Sequence, residues 1–90
     1  MTKEDILKRL TQYFKNSKIE VQDLTGNSNH FSILIISDEF DKISLINRHK
    51  KIYNIFKNEM IVKIHAFQIK TYTRTEWSQK IYKKNAFNFS

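Results

Sequence analysis

Ile6, Leu7, Leu10 and Phe14 recur at helical spacing with Tyr13 beside them, and predict an amphipathic first helix. Thr2-Lys3-Glu4-Asp5 opens it as a capping box, in which the Thr hydroxyl and an acid three residues later satisfy free backbone N–H groups. The helix is expected to end near Asn16-Ser17. The period then changes. Ile19-Glu20-Val21-Gln22-Asp23 alternates apolar and polar residues, the pattern of a strand with one buried face. The only glycine, Gly26, lies among Thr, Asn and Ser between Leu24 and Asn29, which reads as a flexible loop. Phe31-Ser32-Ile33-Leu34-Ile35-Ile36 is rich in β-branched residues, apolar on both faces and too short for a helix. It suits the central strand of a sheet, antiparallel to the first.

Ser37-Asp38-Glu39-Phe40-Asp41 reads as a polar turn. From about Ser44 to Glu59, Leu45, His49, Ile52, Tyr53, Phe56 and Met60 form one stripe of a second helix. Arg48, Lys50, Lys51, Asn54, Lys57 and Asn58 occupy its outer surface in this reading. A third strand is expected from about Val62 to Tyr72, with His65, Phe67 and Ile69 alternating against Ala66, Gln68 and Lys70. Thr73-Arg74-Thr75-Glu76 is a second capping box and opens a short helix anchored by Trp77 and Ile81. Residues 85–90 lack periodicity and are expected to form a disordered tail after a single domain spanning 1–84. The order is α-β-β-α-β-α, an α+β fold with helices on one face of a three-stranded sheet.

Composition narrows the function. Ninety residues suffice for one small domain, whose core must be well filled. The chain has no cysteine, so it offers neither a disulfide nor a thiolate nucleophile or metal ligand. No glycine-rich phosphate loop and no Ser-His-Asp set in a recognisable context is present, and the chain is expected not to be an enzyme. No apolar run approaches the roughly 18–20 residues that span a bilayer. The charged N-terminus runs straight into a helical pattern, unlike a leader, and a cytoplasmic location is expected. The net charge of +7 is unevenly spread: residues 1–41 carry five Lys/Arg and seven Asp/Glu, residues 42–90 eleven and two. The basic half points to an acidic or nucleic-acid partner, or simply to solvated helix faces.

Several stretches together resemble the BolA family. Ser37-Asp38-Glu39-Phe40, then Asn47-Arg48-His49-Lys50 and Ile52-Tyr53, resemble its Ser…Phe turn leading into an Arg-His-Arg helix. Ile64-His65-Ala66-Phe67 resembles its Val/Ile-His-Ala-Leu strand, and Thr71-Tyr72-Thr73 with Glu76-Trp77 matches the segment that follows. Asn29-His30-Phe31 resembles the Ser-His-Phe or Thr-His-Phe before the central strand of many members. The match covers residues 5–80 in order. Lys42 departs from it by standing where a glycine is common, as do Phe56 and Met60 in place of Leu and Lys50 in place of the second Arg.

The resemblance implies a class II KH-like domain that binds a monothiol glutaredoxin and shares with it a [2Fe–2S] cluster, in iron–sulfur trafficking or iron regulation. It implies that His65 is a cluster ligand and His30 the second, with thiolates supplied by the glutaredoxin and its glutathione. Imidazole in place of thiolate raises the potential of such a cluster. From the residues alone, His65 reads rather as a hydrogen-bonded core histidine, since it shares its expected face with Phe67 and Ile69; the resemblance reverses that reading. His49 is read as structural, on the helix stripe. Arg48, Lys50 and Lys51 are the expected contacts to the partner or to nucleic acid. The alternative function is a DNA-binding transcriptional regulator using the basic second half. A KH domain clamps nucleic acid through a Gly-x-x-Gly loop, which one glycine cannot supply, so another surface would be needed. Zinc bound by His30, His65 and a carboxylate lacks the paired spacing of a structural zinc motif. A weak homodimer of the free chain is left open.

Overall fold

Thr2 and Asp5 cap one another. The Asp5 carboxylate accepts from Thr2 N at 2.9 Å, and Thr2 Oγ1 accepts from Asp5 N at 3.2 Å. These bonds hold the Asp5 carboxyl below its usual range and start α1, Lys3–Tyr13. The computed structural model describes residues 1–62 and 66–88. After α1 come β1 (Lys18–Asp23), β2 (His30–Ile36), a 3-10 turn (Asp38–Phe40), α2 (Leu45–Ile55), α3 (Lys57–Val62), β3 (Ala66–Tyr72) and α4 (Arg74–Asn88).

The sheet order is β1-β2-β3. β1 runs antiparallel to β2, with Ile19 opposite Ile35 and Val21 opposite Ile33. β2 runs parallel to β3, with Phe31 beside Phe67 and Ile33 beside Ile69. This register stacks the apolar positions of all three strands on one face. Ile6, Leu10 and Phe14 of α1, Phe40 of the 3-10 turn, Ile52 of α2 and Phe56 complete the core against Phe31, Ile33, Ile35 and Phe67. Each large apolar side chain so buried contributes about 1.5–3 kcal/mol. By strand alternation, Glu20, Leu34 and Lys70 share the opposite face, as do Gln22, Ser32 and Gln68. The α+β fold, the central β2 and both capping boxes agree with the sequence reading.

Three elements differ from it. The helix expected from Ser44 to Glu59 is two: α2 stops at Ile55, and α3 starts at Lys57. Phe56 at the junction is wholly buried and edge-on to Phe67, ring centroids 5.3 Å apart, with the weak helix formers Asn54 and Asn58 on either side. α3 takes up Val62, so the described part of β3 begins at Ala66. Lys63, Ile64 and His65 lie outside the described residues. α4 is not short. It extends to Asn88 and includes part of the segment expected as a tail; residues 89–90 lie outside the description.

α2 differs also in its phase. Arg48, expected on the outer surface, is 5% exposed, whereas Leu45, expected in the buried stripe, is 61% exposed. The inward residues are Arg48, Ile52 and Phe56, one helical turn apart. The Arg48 guanidinium is tied down by four hydrogen bonds. Nε donates to Ile43 O at 2.8 Å, Nη1 to Thr71 O at 3.4 Å, and Nη1 and Nη2 grip the Glu76 carboxylate at 2.7 and 3.0 Å. Its carbon lies 5.5 Å from the centroid of the Phe40 ring. Glu76 also accepts from Thr73 N at 2.8 Å and thereby closes the second capping box. The polar turn is present with Asp38, Glu39 and Asp41 exposed, while Ser37 and Phe40 within it are buried.

The Arg48 hydrogen bonds, with help from Thr73 N, hold the Glu76 carboxyl down at about 2. Its charged form therefore stabilises the fold fully above the ordinary glutamate value of 4.5, and that contribution is lost as pH falls from there toward 2. Glu76→Ala takes the carboxylate from a buried guanidinium and, with Glu76 itself partly exposed to screening water, is expected to cost about 1–2 kcal/mol, whereas Arg48→Met with Glu76→Ala recovers much of the loss. Urea unfolding at neutral pH and across the acid range tests both points: the Glu76→Ala variant should lack the acid-dependent fall between pH 4.5 and 2 assigned to this carboxyl.

Lys42 has φ +62°, in the left-handed region that favours glycine. The turn keeps the geometry of a glycine position while carrying a side chain. Lys42→Gly is expected to stabilise the domain by about 0.5–1 kcal/mol in the same unfolding assay.

Candidate functional site

The loop before β2 is organised by one carboxylate. Asp23, the last residue of β1, accepts from the backbone N–H groups of Thr25, Gly26 and Ser28 at 3.3, 3.0 and 3.0 Å. Desolvation pushes its carboxyl up, but the bonds from Ser28, Gly26 and Thr25 together outweigh it and leave the group below its usual range. Gly26 and Ser28 adopt positive φ, +76° and +57°, as the reversal around the carboxylate requires. Thr25 Oγ1 donates to Asn29 Oδ1 at 2.8 Å, and Leu24 N donates to His30 O at 2.9 Å. The segment expected to be flexible thus carries a defined set of hydrogen bonds.

This arrangement fixes the start of β2. His30 is half-buried and is the first ladder residue of that strand, paired with Ala66, the first residue of β3. Ala66 N donates to Asn29 O at 3.3 Å, which secures the two strand entrances side by side. His30 alternates with Phe31, so its ring belongs to the sheet face away from the helices, with Ser32 and Leu34.

His65, singled out in the sequence, lies outside the described residues; it precedes Ala66 by one position. His49 is half-buried on α2, in the helix layer, at the edge of the core rather than within it. His30 and His49 therefore stand on different sides of the sheet. Lys50 and Lys51 are exposed as expected, and Lys51 Nζ caps the Phe14 ring at 5.5 Å from its centroid. Arg48, expected as a contact residue on the outer surface, is instead buried, with its guanidinium bonded within the fold. Among the described residues, no three His, Cys, Asp or Glu side chains gather to hold a metal ion. No described helix is long and apolar enough to cross a membrane. Sequence reading missed the role of Asp23, although an Asp followed by Thr-Gly within three residues is the usual signal for such a turn.

Comparison with known proteins gives a consistent answer. The family model of the BolA-like proteins matches residues 10–76. The chain is 32% identical to the DNA-binding transcriptional regulator BolA of Escherichia coli (strain K12), over 86% of this chain and 80% of that protein. The BolA domain of SufE1 from Arabidopsis thaliana superposes with a TM-score of 0.76 at 29% identity, covering 82% of this chain and 93% of that one. A bol-like protein from Babesia bovis gives 0.78 at 28% identity, covering 89% and 93%. On the family match, the relatives and the shared fold, the chain belongs to the BolA-like family.

Proposed function

We propose that this protein is a histidine-donating partner of a monothiol glutaredoxin, with which it holds a [2Fe–2S] cluster for iron–sulfur trafficking or iron regulation. The observation that carries the reading is the pairing of His30 with Ala66, the residue that follows His65 in the chain. His30 thus stands beside the first described residue of β3, which His65 precedes in the chain. The donor chemistry fits a shared site. The chain has no thiolate to offer, so thiolate ligands to a shared cluster would come from the other molecule and this chain would add imidazole, as its family resemblance implies. When bound, the cluster would supply one-electron and cluster-transfer chemistry, with a potential raised by histidine ligation. What this chain does is present its imidazoles: the Asp23-ordered loop sets where β2 begins, and hence the position of His30.

A second reading has its own support. The Escherichia coli relative is named a DNA-binding transcriptional regulator. Lys42, Lys50, Lys51 and Lys57, on or beside α2 and α3, are exposed and cationic. A duplex on this surface would be held by phosphate contacts and would bind with steep salt dependence.

Visible absorption and circular dichroism of the chain mixed with a cluster-loaded monothiol glutaredoxin test the first reading. A new spectrum is expected for wild type, lost in His65→Ala and altered in His30→Ala, with far-ultraviolet dichroism unchanged. A folded wild type that leaves the glutaredoxin spectrum untouched overturns it. For DNA, anisotropy of a labelled duplex across a salt series should show Lys50→Gln with Lys51→Gln reducing the log–log salt slope by about 2. An unchanged slope removes these lysines from the interface.

A further inference from the structure

α4 leaves the body of the fold soon after its first turn. Trp77 packs half-buried on Tyr72, ring centroids 5.2 Å apart, and every residue from Ser78 to Lys84 is exposed. Between α4 and the first turn of α2 lies an open, mostly apolar cleft of about 450 Å3, lined by Leu45, Tyr72, Lys80 and Lys83, with the Arg48–Glu76 pair in its wall. Ile46 beside Leu45 is 68% exposed, and Tyr82, in the adjoining depression that shares Lys83, is 74% exposed. Leu45 lines this cleft, and with Ile46 next to it in the chain and Tyr82 in the adjoining depression, such accessible apolar side chains mark an interaction site.

Charge says what kind of occupant fits. Residues 42–90 contain only two acids, Glu59 and Glu76, and each is paired with an arginine, Arg9 and Arg48. No carboxylate of this half is left to neutralise Lys80, Lys83 and Lys84. Lys80 is moreover held in place: its Nζ donates to Tyr72 Oη at 2.6 Å and lies 4.8 Å from the centroid of that ring. We propose that this cleft docks an acidic amphipathic segment of a partner protein, with its aliphatic residues against Leu45, Ile46 and Tyr82 and its carboxylates on Lys80 and Lys83. A second copy of the chain would bring the same lysines and its own +7 charge to the contact. Nucleic acid would use the lysines but find no partner for the aliphatic wall. The site is distinct from the histidine end of the sheet. Tyr72 and Ala66 close opposite ends of β3, about 20 Å apart at the usual rise per residue. The proposal therefore stands whether or not a cluster is bound.

The probe is a short synthetic peptide of Glu and Leu, titrated into the isotopically labelled full chain with amide shifts followed by NMR. Shifts are expected at Leu45, Ile46 and residues 79–83, with Kd rising roughly tenfold when Gln replaces Glu in the peptide or when Leu45→Ser and Lys83→Gln are combined. Both residues are exposed, so the remaining spectrum should superpose on wild type; Tyr82→Ser provides an independent variant with the same expectation. Absence of shifts, shifts centred on Lys50 and Lys57, or wild-type affinity in these variants overturns the proposal. So does tighter binding of duplex DNA to the same residues at equal salt, or self-association of the free chain that Leu45→Ser abolishes.

Discussion

The buried guanidinium of Arg48 ties together parts of the chain that the hydrophobic core alone leaves loosely specified. It takes the carbonyl of Ile43 just before α2, the carbonyl of Thr71 at the end of β3, and the carboxylate that caps α4, while lying over Phe40 of the 3-10 turn. A charge at this depth is costly unless it is paired and its donors find acceptors. The geometry that uses them requires α2, β3 and α4 to be in register at once. The core stacks helices on the sheet; this hydrogen-bonded pair sets where the ends of those elements fall. A second pair, Arg9 with Glu59 at 2.7 Å, joins α1 to α3 in the same way, with Arg9 over the Phe56 ring.

The same arginine explains where the sequence could be read and where it could not. Alternation in Ile19-Glu20-Val21 and the doubly apolar run at Phe31–Ile36 report burial directly, because each strand position faces either the helices or the open side. The capping boxes at Thr2 and Thr73 are local chemistry, complete within four residues. α2 is different. Its inward face contains a charge whose partner lies 28 residues further along the chain, so a pattern of apolar positions rotates the helix to bury Leu45 in place of Arg48. The break at Phe56 is invisible for a related reason: neither glycine nor proline marks it, and it is tertiary packing on Phe67 that accompanies it.

Of the candidate histidines, motif resemblance found the positions, while only the fold separates them. His30 and His49 are similar as isolated letters, yet one opens a central strand on the open face of the sheet and the other sits on a helix covering the opposite face. No spacing rule could place His30 beside the start of β3. That neighbourhood arises from a parallel pairing between segments more than thirty residues apart, secured by Asn29 O and Ala66 N. The ordering of the intervening loop by Asp23 also needs the strand end to be known before the carboxylate can be seen as its centre.

β3 thus has two ends with opposite chemistry. At its start, polar backbone and an imidazole meet where two strands enter the sheet. At its finish, Thr71 and Tyr72 lead into a cleft whose walls are aliphatic and cationic. Arg48 keeps these ends from sharing a role. By absorbing Glu76, it removes the nearest acid of the basic half from the electrostatics of α4, and it leaves Lys80, Lys83 and Lys84 to define the field there. Had Glu76 been free, its single charge would offset only part of the field of these lysines. The pair that specifies the fold therefore also sets the charge of one face, without contributing a contact of its own at the histidine end.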